Sequence, residues 1–337
     1  MNAMKKIILT QLFLLAMLAR MAAQDFHLSQ VNAAPHYYNP ALTGIYFDEK
    51  ADYRIYADYR SQWSAFGVKP YSTLYLGYDM PFKEQFGLGG CLVSNRNGKG
   101  GLNTILFIPS GAYRIIKDES SEHQLAAGVQ LGIMYTTVDP NRYTYEKQFS
   151  PDNPSVFDQS ISSGENFNRT SMLKLDAAMG VFYKYKKSDW KAHPFFGYSV
   201  YHVTRPNQSF TGIEKNKLPM RWVYRLGADY KINDEINVTP AILYMLQAKA
   251  HDFTIGIDGS YLLKETDYTI LGGLNYRNKD AFIIKLGMKY GQHVFAFSYD
   301  INTSYLNNYT NGRGAFEFSL ILTGIKGKKL FKPSFSR

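Results

Sequence analysis

Cysteine is nearly absent from the sequence, with Cys91 alone among 337 residues. That excludes a disulfide scaffold and any cysteine-rich metal site. Charge is sparse as well: 20% of residues are charged and 45% hydrophobic, too apolar a balance for a disordered chain. Long apolar runs are missing. The nearest is Ile7–Leu18 (IILTQLFLLAML), whereas a membrane-spanning helix needs about 20 such residues. There is no HExxH, no phosphate-binding P-loop and no paired-cysteine motif. The seven histidines (27, 36, 123, 193, 202, 251 and 293) contain no i, i+4 pair that would suit a metal. Gly87-Leu88-Gly89-Gly90 lies inside a strand pattern with no helix after it, so its glycines ease a strand rather than hold a phosphate. Ser and Asp are so common that a Ser/His/Asp set carries no weight. The expectation is a protein with no enzymatic activity, no catalytic residue, no metal and no cofactor.

Aromatic residues are abundant. The chain has 27 Tyr, 22 Phe and 3 Trp, and a ring with a polar end suits a membrane–water interface. The first residues read as an export address. Lys5 and Lys6 precede the apolar Ile7–Leu18, and Ala22-Ala23-Gln24 offers small residues for cleavage. Removing residues 1–23 takes away three cations and no acid, which lowers the net charge from +10 to +7.

The remainder alternates with period two. Tyr53, Ile55, Ala57 and Tyr59 interleave with Arg54, Tyr56, Asp58 and Arg60. Likewise Trp222, Tyr224, Leu226, Ala228 and Tyr230 interleave with Arg221, Val223, Arg225, Gly227 and Asp229. A strand sorts such residues onto two faces, whereas a helix scatters them. About fourteen such segments begin near residues 51, 71, 86, 102, 123, 172, 193, 220, 235, 251, 267, 281, 292 and 313. They run about 10 to 14 residues, longer than soluble strands and long enough to cross a bilayer with tilt.

Connections after the second, fourth, sixth and eighth segments are short. Those after the first, third, fifth, seventh and thirteenth are longer, reaching about 34 residues from Val138 to Ser171. This pattern predicts an all-β fold: a single transmembrane antiparallel β-barrel of about 14 strands in the outer membrane, both termini periplasmic. A soluble sandwich also alternates, but lacks this agreement of strand length, export signal and loop asymmetry. The expected organisation is a signal peptide (1–23), a periplasmic N-terminal segment (24–50), the barrel (51–323) and a basic tail (324–337). Tyr53, Ile55, Leu226, Ala228, Ile242, Ile255, Ile257, Ile284 and Leu286 are expected to face lipid. The segment 25–50 is too rich in Pro and Asn for a strand, and plugs the lumen, docks a periplasmic partner or passively caps the barrel. Polar faces carry Arg54, Asp58, Arg60, Lys174, Asp176, Arg221, Arg225 and Asp229, which suggests an internal salt-bridge network or a charged lumen. Arg60 is expected to pair with Asp58 or Asp229. Trp63 is expected at the outer interface.

Several short motifs carry a family resemblance. They are DFHLSQVNAAPHYYNPALTG (25–44), YRSQW (59–63), FGLGGCLVSNRNGKGG (86–101), SYDIN (298–302) and TNGRGAFEFSL (310–320), in that order. Together they resemble the PorP/SprF family, outer-membrane proteins of the type IX secretion system of surface-secreting and gliding bacteria. The chain continues to Arg337 without the Cys-Pro ending of many members. The resemblance implies a role at the cell surface beside secretion-machine subunits or a large secreted surface protein, with outer-membrane lipid and no nucleic acid as partner. A porin or substrate-specific channel is the alternative. Candidate partner-binding residues are Asn39, Pro40, Tyr143, Tyr145, Phe149, Phe157 and Phe167. Arg60, Gln62, Trp63, Tyr299 and Asp300 are read as structural motif residues.

Overall fold

A computed structural model describes residues 25–47, 51–64, 70–98, 101–118, 120–150, 157–212 and 216–325. The expected signal peptide and nearly all of the expected basic tail lie outside the described residues. Fourteen strands form: β1 (Tyr53–Gln62), β2 (Tyr71–Phe82), β3 (Phe86–Asn97), β4 (Leu102–Arg114), β5 (His123–Val138), β6 (Ser171–Tyr185), β7 (Ala192–Tyr201), β8 (Arg221–Lys231), β9 (Ile236–Gln247), β10 (Ala250–Leu262), β11 (Tyr268–Arg277), β12 (Ala281–Tyr290), β13 (His293–Asn302) and β14 (Arg313–Gly324). Each begins within two residues of its expected start. Every strand pairs antiparallel with its sequence neighbours, and β1 pairs with β14 from Tyr53↔Gly324 to Gln62↔Ala315, closing the barrel.

The alternation resolves into an outward and an inward face. Leu226, Ile255, Ile257 and Leu286 are 45–61% exposed, and Tyr53, Ile55, Ala228, Ile242 and Ile284 lie on the same outward rows. A closed barrel leaves no unpaired strand edge, so exposed apolar rows suit lipid, which cannot satisfy backbone N–H and C=O groups. One mouth has short turns after β2, β4, β6, β8, β10 and β12. The other carries the long connections 139–170 and 202–220. The connection after β3, expected to be longer, spans only residues 98–101, and Gly98 opens it with a positive φ of 60°.

The lumen is not empty. Residues 25–47 run down it, almost wholly buried, through a short helix α1 (Pro35–Tyr38) flanked by 3-10 turns at Val31–Ala33 and Pro40–Leu42. Asp25 bonds Gln247 and His202 at the long-loop mouth. At the other extreme the Tyr46 carbonyl accepts from Arg114 near the short-turn mouth. The first described residue therefore sits at the long-loop mouth and the end of β14 at the short-turn mouth. The chain ends themselves, expected to share the periplasmic side, lie outside the described residues. A chain that threads the whole barrel before its first strand must enter at the mouth opposite the start of β1.

Candidate functional site

The threaded segment and its cradle form the most elaborated site in the molecule. Four inward charged residues, Arg60, Arg277, Asp300 and Glu317, meet on β1, β11, β13 and β14. Arg60 donates to Asp300 Oδ2 at 2.7 Å and Glu317 Oε2 at 3.0 Å, and Arg277 donates to the same Asp300 oxygen at 2.6 Å. All four are at most 4% exposed. The plug enters this cluster as a fifth party. The backbone N–H groups of Ser29 and Gln30 donate to Glu317 Oε2 and Oε1 at 2.8 and 2.6 Å. Ser29 Oγ donates to Asp300 at 2.8 Å and accepts from Arg60 at 2.8 Å. Gln30 also spans the β14 backbone, donating to the Glu317 carbonyl at 3.1 Å and accepting from Ser319 Oγ at 2.6 Å. Buried carboxylates are tolerable only when so many donors replace water.

Arg60 thus does not pair with Asp58 or Asp229. Asp58, two residues away on the same strand, makes no ion pair with Arg60 among the described residues, and Asp229 takes Lys184 at 2.6 Å. The reason is register: β1 places Glu317 directly across from Arg60, where cross-strand side chains are closest.

A second anchor holds the start of the segment. His202, just past β7, lies 2.6 Å from Asp176 and 2.7 Å from Asp25. Arg221 lies 3.3 Å from Asp25 and stacks over Tyr37 at 4.1 Å. Burial alone would lower the His202 pKa, but Asp25 and Asp176 outweigh it and lift it from 6.5 to about 9. Burial would likewise raise Asp25, yet the charges of His202 and Arg221 hold its carboxyl below the usual range.

Further down, His36 bridges Tyr75 at 2.7 Å and Asp79 at 3.2 Å, and Asp79 also accepts from Gly44 N–H at 3.0 Å and Tyr46 at 2.8 Å. Glycines let the wall touch the plug backbone. A Cβ at Gly87 would stand 1.9 Å from the Thr43 carbonyl, and one at Gly128 2.3 Å from that of Pro40. Below the plug lies a cavity of about 900 Å³, and one of about 400 Å³ runs alongside it from Val31 to Phe47; both are lined by Ile45, Tyr46 and Phe47.

Asn39 and Pro40, expected on a partner surface, are buried in this cradle. Asn39 donates to the Val181 carbonyl at 2.9 Å and accepts from Ala41 N–H at 2.9 Å. Pro and Asn keep this segment from forming a strand, and the barrel wall supplies partners for its irregular backbone. The loop aromatics behave differently. Tyr143, Phe149 and Phe157 are 37–42% exposed and Tyr145 and Phe167 are half-buried. Phe149 and Phe157 pack edge-to-face at 5.7 Å, folding the loop on itself. Trp63 is half-buried, its ring 4.7 Å from that of Tyr71. Gln62 is likewise half-buried at the end of β1, whereas Tyr299 lies on the outward row beside Asp300.

The motif pieces now explain one another. Ser29-Gln30, Asn39–Gly44, Arg60, Gly87, Asp300 and Glu317, scattered over the sequence, belong to one plug and its cradle. Arg277, His202 and Asp176 escaped notice as site residues because no motif contains them, although Asp176 had been placed on a polar face.

Among solved structures, the chain is similar to the Ralstonia pickettii toluene transporter TbuX at 10% identity, covering 84% of this chain and 90% of that one with a TM-score of 0.45. It is also similar to the CymD monoaromatic hydrocarbon channel (11%, 88% and 91%, TM-score 0.46) and to a Pseudomonas aeruginosa FadL homologue (13%, 84% and 91%, TM-score 0.43). A search of curated proteins returns no match. The family model described as type IX secretion system membrane protein PorP/SprF matches residues 20–322, and the barrel belongs to that family.

Proposed function

We propose that this outer-membrane barrel is a docking component of the type IX secretion system, partnering the machinery or a large surface protein during export or surface attachment. The observation that carries this reading is the filled lumen. Residues 25–47 occupy it, and their polar anchors lie on strands all around the wall, from β1 through β14. A barrel so occupied presents mouths and loops to partners rather than a water-filled pore. The short-turn mouth faces the periplasm, and the long loops, with Tyr143, Phe149 and Phe157 exposed, face outward. Aromatic anchors of this kind dominate the energetics of protein interfaces. No enzymatic step is assigned. The test is affinity purification of the tagged barrel from its native outer membrane, followed by mass spectrometry. Recovery of secretion-machine subunits or of one large secreted protein supports the reading. A barrel recovered alone that conducts ions steadily in a planar bilayer overturns it in favour of a porin.

A further inference from the structure

Thirteen of the strand ladders join consecutive strands; the fourteenth, β1 with β14, joins the two ends of the barrel. Closing it brings together residues some 260 positions apart, and the entropic cost of closure grows with such separation. Short hairpin turns set the register of most of the other ladders locally, but no connection of any kind sets this one. The plug makes a dense set of polar contacts on this seam. Ser29 and Gln30 bind Glu317 through two backbone N–H groups, and Gln30 adds a bond to the β14 backbone and one to Ser319. Ser29 Oγ simultaneously takes Arg60 of β1 and Asp300 of β13. Arg60 and Glu317 are direct cross-strand partners in the seam register. A one-residue slip would turn Glu317 outward and away from all of these donors.

We propose that the N-terminal segment is an intramolecular assembly template that captures β14, fixes its register against β1 and so closes the barrel. The segment precedes β1 in the chain, so it is present before β14 exists. Its Ser29-Gln30 backbone offers donors that only a correctly registered Glu317 satisfies.

The test uses the full chain in the outer membrane with Cys91→Ser and two reporter cysteine pairs. A57C/L320C spans the seam on its outward face, and V181C/Y198C spans the consecutive β6–β7 ladder as an internal control. Oxidative crosslinking is followed after a pulse of synthesis. In Ser29→Ala/Gln30→Ala, which keeps the two backbone donors to Glu317 but removes the side-chain bonds to Arg60, the Glu317 carbonyl and Ser319, the seam disulfide is expected to form about tenfold less readily, the effect of losing three hydrogen bonds of modest net strength, while the β6–β7 disulfide forms as before. Arg60→Glu/Glu317→Arg keeps an ion pair across the seam but removes the acceptor for the plug, and the same selective loss is expected. Seam crosslinking at the unaltered rate in either variant overturns the proposal. Equal loss at both reporter pairs also overturns it, because the defect is then general misfolding.

Discussion

The plug and the long loop at 139–170 begin from similar sequence. Both lack strands among the described residues, and both are rich in Pro and Asn. The plug is nevertheless core and the loop is surface. The difference lies in where their polar groups find partners. Plug bonds reach across the chain, from Ser29 to Glu317 or from Asn39 to Val181. Loop bonds are mostly local, such as Asp139 with Arg142, Tyr145 N–H with Gln148, and Asp158 with Ser160. Its longest tie joins the neighbouring loop, from Asn168 to the Thr211 carbonyl. Irregular backbone can be buried when every donor and acceptor is matched, and composition does not reveal the matching.

The contrast breaks most easily at the latch. Arg60→Ala leaves Asp300 with Arg277 and Ser29 and strips Glu317 of its guanidinium. Removing one partner of a buried pair costs about 3–5 kcal/mol, measurable as a lower urea midpoint in lipid vesicles. The wall against lipid follows. Leu226→Arg or Ile284→Arg should cost about 2–4 kcal/mol near the midplane by the same measurement. The glycine cradle is next: Gly128→Val places side-chain atoms where the Pro40 carbonyl lies, and overpacking of this kind costs about 1–3 kcal/mol. In the loop, Phe157→Ala should change stability by about 0.5 kcal/mol or less while reducing partner recovery. A loss comparable to that at Arg60 would erase the distinction between the two regions.

pH sharpens the comparison within the plug itself. Because the folded pKa of His202 is raised from 6.5 to about 9, its contribution is fully present below 6.5 and is lost as pH rises through 9. Above that, Asp25 and Asp176 face each other across a neutral imidazole. Amide exchange at residues 26–28 should therefore accelerate at high pH beyond its intrinsic dependence, with the latch at Ser29-Gln30 unaffected. In His202→Gln the extra acceleration should vanish.

The barrel was legible from sequence because alternation and strand length act locally, and those are what fix strand starts. The latch was half legible. Arg60 and Asp300 stood out within motifs, and Glu317 lay in EFSL unrecognised. Their convergence depends on a register between the first and last strands that no local pattern records. Asn39 and Pro40 were misplaced for a related reason: Pro and Asn mark irregular backbone, but not whether a wall encloses it. His202 and Arg277 carry no sequence signal at all, since their roles arise from carboxylates at distant positions.

The central claim is that residues 25–47, held by the Arg60–Asp300–Glu317 cluster, close the lumen. Single-channel recording of the purified barrel in a planar bilayer tests it most directly, comparing the intact assembled barrel with the same barrel after residues 25–47 have been released at a protease site inserted between residues 48 and 50. The account predicts silence from the first and steady open conductance from the second. Equal steady conductance from both would contradict it.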